Sequence, residues 1–233
     1  MKQVEIQLSD TTVETVGDER TKVVRVADYF NDPKIIVEAA ATASFAQINP
    51  HYPGIRATAP AELLNLLCDT VSQLAEAHLD QPKRDWMGQA WYSIVTHDPT
   101  QLTPIQRLPH FDGFDEDQLA VMIYLNHTAH GGTAFYRQQA TGYERITQAR
   151  FPDYKVRLVA GVRASGLPPA QYIRDGAPHF EQIADFGAAF NSLIVYPGTL
   201  LHSGVIDNDV PLPSDPRTGR LTLNGFFRPV RSV

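Results

Sequence analysis

From Gln89 onward the chain breaks into short runs of β-branched and aromatic residues: Gln89 to Thr96, Leu119 to Asn126, Thr133 to Arg137, Ser192 to Tyr196 and Arg220 to Phe227. They are separated by Gly, Pro, Asn or Asp. Such runs are strands, and short strands must pair with others to satisfy their backbone groups. Helical sequence is concentrated before them. Asn31-Asp32-Pro33 places a capping carboxylate ahead of a proline, which predicts a three-turn helix from Pro33 to about Ala43. From Pro60, Leu63, Leu67, Val71, Leu74 and His78 recur at three- and four-residue steps, predicting an amphipathic helix over 60–79. Val4 to Leu8 alternates and Lys22 to Val26 is β-branched, so both are expected as strands paired with each other. Asn49 to Pro60 reads as a loop. Between Gln138 and Phe190 the pattern fades, with weak helical signals at Tyr143 to Arg150 and Phe180 to Ala184. The expectation is a mainly-β fold with flanking helices, a sandwich or barrel carrying helices on one face.

Composition narrows the chemistry. The 233 residues carry 20 Lys and Arg against 26 Asp and Glu, net −6, which leaves no basic footprint for a phosphate backbone. Nucleic acid is therefore not expected as a partner. A single cysteine, Cys68, excludes an intramolecular disulfide framework, a cysteine zinc ribbon and a four-thiolate iron–sulfur cluster. Any metal must be held by histidines and carboxylates. No stretch reaches the length of an apolar membrane span, and MKQVEIQLSD lacks the apolar core of a signal peptide. The expectation is a soluble, cytoplasmic protein with no membrane partner.

His110-Phe111-Asp112 places a histidine and a carboxylate two residues apart, on one face if the segment is extended. The flanking Leu108-Pro109 and Gly113 suit a strand end or rim. His78-Leu79-Asp80 has the same spacing, but at a helix end its two side chains diverge by about 200°. Farther along, Val195-Tyr196-Pro197-Gly198 closes an apolar strand and His202 enters the next one, 92 residues beyond His110 (202 − 110).

In this order the chain presents His110-Phe111-Asp112, Ile123-Tyr124-Leu125-Asn126, Gly131-Gly132-Thr133-Ala134-Phe135, Val195-Tyr196-Pro197-Gly198, His202 and Arg220. That series resembles the Fe(II)/2-oxoglutarate-dependent dioxygenases, particularly the prolyl 4-hydroxylase-like branch, over about residues 86–228. The Arg is displaced: it follows the distal His by 18 residues (220 − 202) rather than about ten, with Asp207 to Pro216 as an inserted loop.

The resemblance implies a double-stranded β-helix, a cupin-like jelly roll, with the N-terminal helices packed on its major sheet. It implies one domain over 1–233, made of N-terminal strands and supporting helices (1–85) and a β-helix core (86–233) with an insertion at about 138–190. His110, Asp112 and His202 would be the catalytic ligands of Fe(II), in the two-histidine, one-carboxylate facial arrangement that leaves positions open on the metal. Arg220 and Tyr124 would bind the far carboxylate of the cosubstrate 2-oxoglutarate, a planar fork meeting a planar anion. With O2, the expected reaction is hydroxylation of a small molecule or peptidyl residue, coupled to decarboxylation of 2-oxoglutarate to succinate. Asp112 speaks against the halogenating relatives, which have a small residue there.

Other readings stay open: a non-catalytic metal-binding jelly-roll module, or a cupin-like metalloenzyme that does not use 2-oxoglutarate. His127 and His130 lie in a turn, where solvation is the default. Asp115-Glu116-Asp117 reads as a solvated loop, Arg217, Arg228 and Arg231 as surface charges, and Cys68 as a small buried hydrophobe. His51 to Arg56, with Trp86 and Trp91, could line a substrate entrance, and the 138–190 insertion and the Asp207–Pro216 loop are the expected selectors. Substrate and oligomeric state are not legible in the sequence.

Overall fold

The computed structural model describes residues 4–127 and 130–231. Its strands are β1 (Thr11–Val16), β2 (Thr21–Val26), β3 (Gly54–Thr58), β4 (Trp86–Val95), β5 (Leu119–Tyr124), β6 (Thr133–Gln138), β7 (Phe180–Phe186), β8 (Leu193–Pro197), β9 (His202–Gly204) and β10 (Leu221–Pro229). Three helices join them: α1 (Pro33–Ala41), α2 (Ala61–His78) and α3 (Phe151–Ser165). A seven-stranded sheet runs β1-β2-β8-β5-β10-β4-β3 and a three-stranded sheet runs β7-β6-β9. Every strand pairing in them is antiparallel.

Strands at the middle of the large sheet are covered on both faces, so β5 and β8 read as continuous apolar runs rather than alternating ones. Leu119, Val121, Ile123, Leu193 and Val195 point to one face, where they pack with Leu63, Leu67, Val71 and Leu74 of α2. Ala120, Tyr124, Ile194 and Tyr196 point to the other, against Phe135 and Phe186 of the small sheet. Each of these leucines and valines contributes about 1.5–3 kcal/mol by leaving water. The sheet is thus a partition, with an aliphatic core against the helices on one side and a cleft toward the small sheet on the other.

The N-terminal third differs from expectation in several places. Val4 to Leu8 forms no strand; it contributes one bridge, Ile6 to Phe30, and the partner of β2 is β1. Alternation alone did not secure that segment because Thr11–Val16 follows at hairpin distance and takes the pairing edge. Asp32 precedes α1, but its side chain caps nothing; its carbonyl accepts the Ile35 N–H at 3.3 Å. Asn49 to Pro60 contains β3, which pairs with β4 from Gly54↔Val95 to Thr58↔Trp91. In the insertion, the helix is Phe151–Ser165 rather than Tyr143 to Arg150, and Phe180–Phe186 is a strand on β6. Helix α3 buries only Tyr154, so it lacks the apolar stripe that makes a helix legible.

Candidate metal centre

Three backbone contacts bring the candidate ligands together. The His110 N–H donates to the His202 carbonyl at 2.9 Å, and the His202 N–H returns to the His110 carbonyl at 2.8 Å. The Asp112 N–H donates to the Gly198 carbonyl at 2.7 Å. Gly198 packs closely here: a Cβ there would meet the Gln118 side-chain nitrogen at 2.8 Å and touch the Asp112 Cβ at 3.5 Å. The Pro197-Gly198 turn therefore seats Asp112 while β9 carries His202 to it. One potential ligand atom from each of His110, Asp112 and His202 lies within 4.8 Å of the others, and among the described residues this is the group that so converges. His110 Nε2 is 4.0 Å from Asp112 Oδ1, and His202 Nε2 is 3.6 Å from Asp112 Oδ2.

The donor set fits a divalent metal on two further observations. His202 Nδ1 lies 2.8 Å from the Leu200 carbonyl, which places the ring proton on Nδ1 and leaves the Nε2 lone pair for a cation. Asp112 Oδ2 is buried with no hydrogen-bond partner, an arrangement that costs stability unless something positive occupies the gap. Burial pushes the Asp112 carboxyl up to about 6 although His110 and Arg56 pull it down. Burial drives the His202 imidazole down to about 4, against the Leu200 carbonyl. His110 is lowered by the same enclosure and by His202 beside it. Its side chain is 55% exposed, so it is the more accessible of the two imidazoles. At neutral pH the trio is two neutral imidazoles and one carboxylate, the protonation a metal requires.

The cleft is a cavity of about 440 Å³ whose walls include all three side chains together with Arg56, Tyr52, Tyr172 and Arg220. Arg220, immediately before β10, is buried, and no carboxylate pairs with it among the described residues. Its Nη2 donates to the Gly131 and Gly132 carbonyls at 3.2 and 2.9 Å, while its Nε is buried without a partner. Tyr124 is fully buried and donates its hydroxyl to Thr133 Oγ1 at 2.8 Å; burial raises it to about 12. Tyr124 adjoins this wall through Thr133 but does not itself line the cavity.

Other candidates fall elsewhere. His127 stacks on Phe190 at 3.8 Å. His130, expected in solvent, is buried: its Nδ1 accepts the Asp207 N–H and its Nε2 faces the Pro211 carbonyl, both at 3.3 Å. Asp115 and Asp117 pair with Arg231, and Arg217 pairs with Glu38, as surface charges do. Cys68 is half-buried. Trp86 joins the core beneath α2. Tyr172 of the 138–190 insertion lines the cavity; Asn208 in the Asp207–Pro216 loop holds it in place by accepting its N–H at 2.7 Å. Thr222 and Asn224, which also line the cavity, were not singled out in the sequence, nor was Ser93, which donates to Asn224. Their only signal is position, polar residues at inward places of strands, with Thr222 and Asn224 alternating with apolar neighbours.

Fold and site together define a mainly-β protein of antiparallel sheets with a converging His-Asp-His trio. The chain belongs to DUF6445, a family of unknown function, whose model matches residues 8–227. No curated protein matches it in sequence. Among solved structures it is similar to HygX from Streptomyces hygroscopicus with nickel and 2-oxoglutarate bound, at 9% identity and a TM-score of 0.50, over 91% of this chain and 84% of that one. At that identity the likeness is one of fold. The apo form of HygX scores 0.44 at 8% identity over the same shares. An N-substituted L-amino acid dioxygenase from Burkholderia ambifaria in complex with α-ketoglutarate scores 0.35 at 11% identity, over 90% and 83% of the two chains. No helix among the described residues is long and apolar enough to cross a membrane.

Proposed function

We propose that this protein is an Fe(II)- and 2-oxoglutarate-dependent oxygenase, a single domain whose two sheets form the double-stranded β-helix of that superfamily. The observation that carries the reading is the orphaned Asp112 oxygen between two imidazoles, in one cavity with the buried Arg220. HygX, which shares the fold, was crystallised with nickel and 2-oxoglutarate, and the ordered motifs from His110 to Arg220 point the same way.

His110, Asp112 and His202 would hold the metal, and Arg220 the distal carboxylate of the cosubstrate, with Tyr124 supporting that anchor through Thr133. Bound Fe(II) supplies the oxygen chemistry that couples 2-oxoglutarate decarboxylation to hydroxylation. The chain's own share is to exclude bulk water with Phe111, Leu108 and Tyr172, to fix the His202 tautomer through Leu200, and to keep an unscreened cation at Arg220. The intact carboxylate at Asp112 favours hydroxylation over halogenation.

An anaerobic titration tests this. Fe(II) and 2-oxoglutarate together should produce a weak visible charge-transfer band that neither gives alone and that His202→Ala loses. Absence of the band overturns the reading. A band that survives unchanged in Arg220→Gln would move the protein to a metalloenzyme class without an arginine-anchored cosubstrate.

A further inference from the structure

The cavity contains a second arginine that this reading leaves without a task. Arg56 on β3 lies in the large sheet at the edge of a polar row: the register sets Arg56 against Ser93, Ser93 against Thr222, and Thr222 against Tyr124 on successive strands. Neighbouring strands lie about 4.8 Å apart, so the Arg56 backbone is roughly 14 Å from that of Tyr124. Arg56 enters the cleft from β3 and Arg220 from the residue before β10, two strands away, and Tyr52 feels the charge of both.

The Arg56 side chain is held but not neutralised. Its guanidinium carbon sits 4.1 Å above the Tyr52 ring and 5.5 Å from the Trp91 ring. Its Nε is buried with no hydrogen-bond partner, and no carboxylate of the described residues is within ion-pair distance of it. The half-buried Arg137 and Arg150 are paired, with Glu144 and Glu19, whereas Arg56, like Arg220, has no carboxylate partner among the described residues. The Tyr52 hydroxyl beside it is also buried without a partner, approaching Ser93 without hydrogen-bond geometry. A stacked guanidinium with no carboxylate partner and a phenol next to it offers donors to a planar anion. Asp112 is close enough to feel the Arg56 charge, so an anion seated there leaves a short molecule within reach of the triad. The same cavity is lined by apolar side chains that include Ile105, Leu108, Phe111, Tyr172 and Ile206.

From this arrangement we infer that Arg56 and Tyr52 form a carboxylate subsite for the primary substrate, a small acid with an apolar body. The inference rests on the oxygenase reading for the word substrate, but the anion site itself stands on Arg56 and Tyr52.

The test loads the whole protein with Ni(II) and 2-oxoglutarate, so that the triad and Arg220 are occupied. Phenylacetate and 3-phenylpropionate are then titrated against their uncharged amides by calorimetry. The acids should bind at least tenfold more tightly than the amides. Arg56→Gln should erase that preference, and Arg56→Lys should keep part of it, since the charge remains and the stacked fork is lost. Tyr52→Phe, which keeps the ring beneath the guanidinium, should weaken acids several-fold and leave amides unchanged; it serves if the arginine variants fold poorly. Equal binding of acid and amide, no binding of either acid, or a preference that survives Arg56→Gln overturns the inference. So does a loss of 2-oxoglutarate binding in Arg56→Gln as large as in Arg220→Gln, which would assign Arg56 to the cosubstrate. Repeating the titration without metal and 2-oxoglutarate separates the two readings. If nickel and 2-oxoglutarate fail to bind, the oxygenase proposal fails, while an acid preference dependent on Arg56 would still establish the anion site.

Discussion

Two carboxylates with buried side chains, Glu144 and Asp112, are treated in opposite ways. Glu144, just after β6, has a side chain with no exposure and donors on both carboxylate oxygens. It accepts the backbone N–H groups of Asp18 and Glu19 at 2.8 and 2.9 Å and the Arg137 Nε and Nη2 at 2.9 and 2.5 Å. Glu19 reciprocates by accepting the Glu144 N–H at 3.0 Å and the Arg145 and Arg150 guanidinium groups. Gly17 makes room for this latch: its φ is +65°, and a Cβ there would meet the Glu144 carboxylate at 2.1 Å. Asp112, at 7% side-chain exposure, has one oxygen with no donor at all. A satisfied buried charge fastens the β1–β2 hairpin to the second sheet, whereas an unsatisfied one stores a cost that a ligand can relieve.

The largest expected effect follows from that contrast. Glu144→Gln takes the buried carboxylate from Arg137, which keeps Asp18 and Glu181, and weakens two backbone bonds, so it should cost about 1–3 kcal/mol in urea unfolding. Asp112→Asn in the metal-free protein removes an unpartnered charge and should change stability by less than about 1 kcal/mol, or raise it. Comparable losses from the two substitutions would erase the distinction between latch and site.

The two carboxylates were unequally legible. Asp112 was found because His110-Phe111-Asp112, Pro197-Gly198 and His202 are local patterns with a chemical reason, and the structure brings those three side chains together. Glu144 carried no local signal; its partners Asp18 and Glu19 lie more than a hundred residues away, and long-range pairing leaves no period in the sequence. The same division holds for the fold. Helix α2 and strands β5 and β8 have apolar periods set by burial, and they were read within a residue or two. Strand β3 was hidden by Pro53, Gly54 and Pro60, and β7 by Glu181 and Gln182, polar residues that a small partly exposed sheet tolerates. Arg56 was noticed only as part of an entrance loop; its role as a stacked, unpaired cation depends on Tyr52 and Trp91 coming beneath it.

A second prediction uses pH to separate the same two regions. Burial raises Asp112 to about 6, so its contribution to stability is present at low pH and is lost as pH rises through 6. His202, lowered to about 4, contributes above its ordinary value of about 6.5 and loses that contribution as pH falls toward 4. Burial pushes Glu19 up, but the Glu144 N–H and the Arg150 and Arg145 side chains outweigh it and hold Glu19 low. The latch therefore weakens only in more acidic solution, as Glu19 takes up its proton. Metal binding should then release about one proton at pH 5, from Asp112, and almost none at pH 7.5. Calorimetry in buffers of different ionisation enthalpy reads this directly. Release of two protons at pH 5 would mean that the histidines keep ordinary values and that the site is wetter than its geometry implies.

The smallest effect concerns the border between the two kinds of burial. Tyr124 resembles the Glu144 side of the comparison, because its hydroxyl has a partner in Thr133, yet it lies beside the wall that carries Arg220. Tyr124→Phe removes one neutral hydrogen bond and leaves Thr133 able to turn elsewhere, so it should cost about 1 kcal/mol of stability. If the tyrosine acts on the cosubstrate only through Thr133, 2-oxoglutarate binding to the metal-loaded protein should weaken by about threefold or less. A loss of tenfold or more with unchanged unfolding would show the phenol turning from Thr133 to the ligand, and Tyr124 would then belong with Asp112 and Arg220 rather than with the latch.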